Sequence, residues 1–311
     1  MIIYFDFIIK IFIIKSTFVK LTSLKMFYVF RITNKCNYNC IFCNVYEEIE
    51  INKKIKHFFT NNFLKLLTNI KKQKLLEWIS ISWWEPLLEL KKVIQLTKLL
   101  NSLNIKNIEL EVQTNWYFLN KQTFEMLVKK YNIKKFFISF HHHEKTTYER
   151  ITQIKWSYEK ILLNLKEIDK LLNNLDKEIE ITLAPVFTKQ TYKDIPNYFK
   201  FIYNNFKNFK KINLSFCMPI WRWKNFSLNL SDYLFLKEKN WLEEWFNKGF
   251  QIYNPYAWLP LCSLQWYRYL EYTHDYQIFI SKKKKKDPQK YYPFFCKNCK
   301  LKKICSWIWK L

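Results

Sequence analysis

Glycine occurs once, as Gly249, in a chain of 311 residues. At its usual share of about 7%, about 22 would be expected, so turns that need a positive φ have almost no residue suited to them. Tryptophan occurs 13 times, and several of these stand where chain geometry favours glycine. They are Trp83 and Trp84 after Ser82, Trp116 after Asn115, Trp156 after Lys155, and Trp221 and Trp223 around Arg222. Asn followed by Gly is a strong turn signal, whereas Asn followed by Trp is none. A gene in which UGA specifies glycine, translated with a table that reads UGA as tryptophan, would produce this pattern. UGG codons at Trp83, Trp84 and Trp116 would exclude that reading.

The second constraint is Cys36-Asn37-Tyr38-Asn39-Cys40-Ile41-Phe42-Cys43, a CxxxCxxC spacing directly after an apolar run, 26–32, that reads as a strand. Three thiolates are one too few for a closed tetrahedral site, but an iron-sulfur cluster held by three cysteines keeps one iron open to another ligand. The alternatives are inert buried cysteines or half of a zinc ribbon. With Phe42 directly before its last cysteine, the motif resembles the signature of the radical S-adenosylmethionine (radical SAM) superfamily. The resemblance implies that Cys36, Cys40 and Cys43 hold a redox-active 4Fe-4S cluster whose open iron is chelated by SAM. It further implies reductive cleavage of SAM to a 5'-deoxyadenosyl radical that abstracts hydrogen from a substrate.

A hydrophobic content of 49% is that of a folded protein, long enough here for one large domain and an appendage. Eight cysteines, six of them in two tight clusters, read as metal ligands rather than disulfides, and hence as a reducing, cytoplasmic location. The formal charge of +26 reflects compositional drift toward Lys or a surface that concentrates polyanions. No aromatic-interleaved basic motif turns it into a specific nucleic-acid interface. Residues 1–25 are apolar but interrupted by Asp6, Lys10, Lys15 and Lys20, so nothing approaches the roughly 20 apolar residues of a membrane span. No small-residue cleavage site marks a secretory signal either. An upstream start, with the native chain beginning at Met26, is the plainest account of this extension, which is assigned no catalytic role.

From Met26 the pattern alternates. Strands are expected near 27–33, 78–82, 108–114, 134–140, 180–186 and 211–217, with helices near 54–72, 89–103, 120–131, 156–174 and 192–207. Strands joined by helical crossovers imply an α/β fold with a parallel sheet, and the resemblance implies the partial (β/α)6, TIM-like barrel of radical SAM cores over 26–225. In barrels the chemistry lies at the C-terminal strand ends. There, 79–86 is similar to the family's SxGGEP element with both glycines written as Trp. This implies that Trp83, Trp84 and Glu85 border the methionine part of SAM; by itself, Glu85 also reads as a carboxylate capping the following helix. Residues 112–116 are similar to a TNG turn, which would bring Thr114 to the pocket. By the same resemblance, Ser139 aligns with a strand-end polar residue that approaches the SAM ribose or carboxylate in relatives, and Arg150 lies on the segment that commonly supplies a carboxylate partner. Among His141, His142 and His143, alternating side-chain directions argue against a shared metal, and a loop histidine near the substrate is the reading that remains.

The C-terminal part, 226–311, changes character. Residues 218–225 resemble a PxGRGKN loop, and a charged helix runs through Lys248. Cys262 precedes an expected hairpin whose lysine run, 282–286, reads as a solvated turn. Cys296, Cys299 and Cys305 resemble the auxiliary-cluster region of the SPASM or twitch subfamilies. With Cys262 they make four ligands, enough for a second, closed 4Fe-4S cluster or for zinc. The full SPASM pattern has more cysteines, so the shorter set favours the twitch version. Cys217 is left as a core or substrate-facing thiol. The expectation is therefore a radical SAM enzyme acting on a peptide, protein or small molecule, reduced by a flavodoxin or ferredoxin. The rival is a non-catalytic iron-sulfur or zinc protein that binds a polyanion.

Overall fold

The structure, a computed structural model, describes residues 4–5, 9–15, 24–33, 35–43, 67–68, 76–82, 84–103, 109–175, 178–217, 225–239, 241–253, 290–291, 296–298 and 308–309. The chain divides into two compact units. One comprises Met1–Ile13, Ser23–Ser139 and Glu149–Ile181, and the other Ile14–Thr22, Phe140–Tyr148 and Thr182–Leu311.

In the first unit, β1 (Tyr4–Phe5) and β2 (Ile9–Lys15) form an antiparallel pair. The 1–25 segment thus contributes strands. Beyond it β3 (Leu24–Arg31), β4 (Leu76–Ser82), β5 (Glu109–Thr114) and β6 (Lys135–Ile138) run parallel in chain order. Strand alternation decides which face is buried. Leu110, Val112 and Thr114 of β5 are buried, while Glu109, Glu111 and Gln113 point to the opposite face. The register sets Ser80 beside Glu111 and Glu111 beside Lys135. Here Ser80 Oγ donates to Glu111 at 2.7 Å, Gln113 Nε2 donates to it at 3.0 Å, and Lys135 pairs with Glu109 at 2.7 Å.

Helices α1 (Leu90–Ser102), α2 (Lys121–Lys129), α3 (Lys145–Thr152) and α4 (Ser157–Leu172) follow on the crossovers. Helix α4 buries Tyr158, Ile161, Leu165 and Ile168, the 3- and 4-residue spacing of one apolar stripe. Helix α1 does the same with Val93, Leu96 and Leu100.

In the second unit β7 (Glu180–Leu183) continues beside β9 (Lys211–Asn213), and β9 beside β11 (Gln251–Tyr253), again parallel. The expected strands 180–186 and 211–217 are each broken in two. Pro185 has no N–H to give the ladder, and Leu214 N–H turns to Tyr253 O at 2.9 Å. Their ends, β8 (Val186–Phe187) and β10 (Ser215–Phe216), form a separate parallel pair. Helices α5 (Ile195–Asn205), α6 (Leu230–Glu238) and α7 (Trp241–Asn247) complete this unit. Asn229 and Asp232 cap α6 reciprocally.

Sheet order β3-β4-β5-β6-β7-β9-β11 follows the chain with no reversal, as in a barrel segment and unlike a doubly wound sheet. The seventh strand, β11, and helix α3 exceed the expected set. The two-stranded β12 (Lys290–Tyr291) and β13 (Ile308–Trp309) pair antiparallel. The expected helix 54–72 lies outside the described residues except for Leu67 and Thr68, which are helical. The 218–224 loop and the 282–286 lysine run lie outside them as well.

Candidate functional site

All four segments that carry the motifs of the first unit leave the same, C-terminal, edge of parallel strands: 36–43 after β3, 84–86 after β4, 115–117 after β5, and Ser139 after β6. Parallel pairing alone dictates this convergence, because every strand then ends on the same side.

The cysteine loop has no regular structure of its own and is held by its neighbours' backbones. Asn39 N–H donates to Thr152 O at 3.1 Å and Ile41 N–H to Ile151 O at 2.9 Å, so the end of α3 anchors its middle. Glu85 N–H donates to Lys35 O at 3.0 Å, tying its start to the β4 loop, and Cys43 N–H closes a turn on Cys40 O at 2.9 Å. Cys36, Cys40 and Cys43 are all half-buried. Burial pushes the Cys36 thiol up to about 11, against a pull downward from Tyr38 N–H, which donates to its sulfur at 3.4 Å; Glu85 and Cys43 add to the rise. Burial also lifts Cys40 well above the ordinary thiol range, reinforced by Cys43 and Cys36.

Three thiols that repel one another when ionised form a donor set that a cationic iron-sulfur core would satisfy, and in that sense the residues fit such a cluster. Among the described residues no three His, Cys, Asp or Glu side chains converge as a site for a single metal ion.

Glu85 is the hub beside this loop. It is fully buried, and its carboxylate accepts from Leu87 N–H at 3.0 Å, from Asn115 N–H at 2.7 Å, and from the Thr114 hydroxyl at 2.8 and 3.0 Å. Burial raises its carboxyl to about 7, with these three donors opposing the rise. The side chain caps the 3-10 turn Pro86–Glu89 and clamps β4 to the end of β5, so the capping role expected of it is present. Ser139 N–H donates to Thr114 O at 3.0 Å, which joins Ser139 to the same cluster. Arg150 is exposed in the last turn of α3, and no hydrogen bond or ion pair among the described residues joins its guanidinium to this group. Trp83 lies outside the described residues.

Trp84 and Trp116 adopt φ of 52° and 67°, and Trp156, before α4, 66°. Bulky residues almost never take these left-handed values, and glycine takes them freely. Trp116 is nonetheless completely buried, against Phe124 and Phe136, and its indole N–H has no hydrogen-bond partner among the described residues.

Asn115 was not singled out from the sequence. The structure gives it four contacts. Its backbone N–H reaches Glu85, its Oδ1 accepts from Tyr117 N–H at 3.1 Å, and its Nδ2 lies 2.7 Å from Asn37 Oδ1 and 3.8 Å from Cys36 Sγ. Its place between Thr114 and Trp116 in the turn was the available signal.

The histidine run belongs to the second unit, and two of the three rings are committed there. His142 Nδ1 accepts from Glu144 N–H at 3.1 Å, so its proton is on Nε2 and is donated to Asp194 at 3.2 Å. His141 Nδ1 accepts from Val186 N–H at 3.4 Å, and burial drives that imidazole down to about 3. Both rings are buried in the segment that follows β6, and each accepts from a backbone N–H of the second unit. Cys217 is buried, with its thiol pushed up to about 12 by burial against a hydrogen bond with Ser227. It is a core thiol. Cys296 is half-buried, and Cys262, Cys299 and Cys305 lie outside the described residues.

A family model described as the radical SAM superfamily matches residues 30–202. No curated protein matches. Among solved structures, native anSMEcpe with bound AdoMet is similar at a TM-score of 0.54 and 19% identity, over 72% of this chain and 62% of that one. The same protein with bound AdoMet and the Cp18Cys peptide gives 0.53 and 19%, over 74% and 63%. The chain thus spans less than two thirds of these neighbours' length, and at such identities the likeness is one of fold.

Proposed function

The chain belongs to the radical SAM superfamily, and from that premise we propose that it reductively cleaves S-adenosylmethionine and uses the resulting radical to abstract hydrogen from a peptide, protein or small-molecule substrate. One observation carries the reading: the three-cysteine loop is fastened, through Lys35 O and Glu85 N–H, to the Glu85–Thr114–Asn115 cluster at the C-terminal edge of parallel strands. Cys36, Cys40 and Cys43 would hold a 4Fe-4S cluster. A cluster of this kind with SAM bound supplies one-electron cleavage of the sulfonium to a 5'-deoxyadenosyl radical. The chain's own work is positional. Residues 151 and 152 and Glu85 fix the loop, and Glu85, Thr114 and Ser139 order the rim on which SAM would lie.

Positions 83 and 84 border that space in this reading, where small residues let the backbone approach a cofactor. We propose that Trp83, Trp84, Trp116 and Trp156 are glycines in the natural protein. The positive φ at Trp84, Trp116 and Trp156 supports this. Peptide mass spectrometry of the protein from its native source tests it: tryptophan at 84 and 116 would end the idea.

Cys262, Cys296, Cys299 and Cys305 would hold an auxiliary 4Fe-4S cluster in a twitch-like domain, with zinc as the competing occupant. A flavodoxin or ferredoxin would supply the electron, in the cytoplasm. A peptide substrate is in keeping with the peptide named for the structural neighbour. No helix among the described residues is long and apolar enough to cross a membrane.

Anaerobic reconstitution with iron and sulfide, then dithionite and SAM, tests the central claim. 5'-Deoxyadenosine should form, and should vanish in Cys36→Ala, Cys40→Ala or Cys43→Ala. A protein that binds iron but forms none in either the Trp or the Gly version would instead be the non-catalytic, polyanion-binding scaffold that its charge of +26 also suits.

A further inference from the structure

We infer that Asn115 is a positioning residue for the cluster at Cys36, Cys40 and Cys43, its side-chain amide donating to Cys36 Sγ and raising the cluster's reduction potential. The inference rests on the cluster assignment above. The amide's orientation is fixed independently of the sulfur: Oδ1 accepts from Tyr117 N–H at 3.1 Å, which leaves Nδ2 as the group facing the cysteine loop. One of its two protons is directed at Asn37 Oδ1, 2.7 Å away, and Cys36 Sγ lies at 3.8 Å.

Asn115 itself is held in place. It is buried, its main-chain N–H is bound by Glu85 at 2.7 Å, and the neighbouring Thr114 hydroxyl is bound by the same carboxylate. The amide therefore sits on a rigid support at the end of β5 and joins that strand to the loop after β3. Cys36 also receives Tyr38 N–H at 3.4 Å, so its sulfur has two N–H donors, one of them from the end of another strand.

Hydrogen bonds to a ligating sulfur stabilise the more negative, reduced form of a cluster and raise its potential. A buried amide counts for more here than an exposed one, since water competes less for its protons. The effect should be separable from folding. In Asn115→Asp the Oδ1 that accepts from Tyr117 is kept, but the donor is replaced by an acceptor and a negative charge. In Asn115→Ala both are removed.

The experiment is an EPR-monitored redox titration of the reconstituted protein without SAM, with iron and sulfide assayed in parallel. Both variants should keep the iron bound at Cys36, Cys40 and Cys43, and both should titrate at lower potential than the parent, Asn115→Asp lowest. At a fixed donor potential the reduced-to-oxidised ratio should fall about tenfold for Asn115→Ala, which is about 59 mV for a one-electron couple. Asn37→Ala, which removes the competing acceptor and spares the donor, should leave the potential unchanged or raise it. Equal midpoints for parent and variants would overturn the inference. So would loss of iron from both variants, which would make Asn115 a residue of the fold alone. A parent that binds no iron would instead overturn the cluster assignment, and the two failures are thereby told apart.

Discussion

A left-handed backbone costs a non-glycine residue roughly 1–2 kcal/mol, and Trp156 is the cleanest place in the chain to measure it. Its φ is 66° and the residue is 72% exposed, so little burial is lost with the side chain. Trp156→Gly should therefore raise stability by up to about 1 kcal/mol after the extra entropy that glycine brings to the unfolded chain. Trp241→Gly, at the first position of α7 and edge-on to Phe235 at 5.5 Å, should lower it. Denaturant unfolding of the two variants against the parent reads both signs, and the same sign for both would refute the strain argument. Trp116→Gly would be uninformative alone, because deleting a fully buried indole leaves a cavity costing about 3–5 kcal/mol.

At the scale of elements, two ends are diagnostic. Helix α7 ends on Gly249, whose φ is 84°; Phe250 N–H reaches back to Trp245 O at 3.0 Å and Gly249 N–H to Phe246 O at 2.8 Å, a Schellman closure. A Cβ at Gly249 would meet none of the described residues within 4 Å, so Gly249→Ala should cost about 1–2 kcal/mol by backbone conformation alone, visible as a lower unfolding midpoint with an unchanged denaturant slope. The other end is that of β6, where His141 is buried neutral. Its folded value near 3 lies below the unfolded 6.5, so the unfolded chain binds the extra proton between those limits. The stabilisation is present in full above pH 6.5 and is lost as pH falls toward 3, by up to about 1.4 kcal/mol per pH unit. Stability measured at pH 6 and pH 4 should fall less in His141→Gln, which retains an acceptor for Val186 N–H. An unchanged difference would show that other groups carry the acid sensitivity.

For the whole molecule, the count of metal centres separates the alternatives. Four thiolates from 262 to 305 and three from 36 to 43 imply roughly eight irons per chain as two 4Fe-4S clusters. Cys296→Ala combined with Cys299→Ala should remove about four while 5'-deoxyadenosine formation at the first cluster stays detectable. Retention of all the iron, or zinc found in the second site, would reduce the C-terminal part to a structural role and exclude it as an electron acceptor.

The local periodicities of the sequence, and the turn chemistry missing from it, determined much of this protein. Strands β3 to β6 and helices α1, α2 and α4 lie within two or three residues of the expected spans, since alternation and the 3.6 period are properties of neighbouring residues. The cysteine spacing and the tryptophans at positions of positive φ were legible for the same reason: each is a short-range pattern. Non-local contacts decided the rest. The break at Leu214 depends on where a partner strand offers its carbonyl, and β11, three residues long, carries too short a pattern to stand out without β9 beside it. Glu85 could be read as a cap, but its grip on Thr114 and Asn115 spans 29 and 30 residues of sequence. Asn115 reaches Cys36 across 79. Only parallel pairing, which brings all the strand ends to one edge, sets such distant side chains within hydrogen-bonding distance.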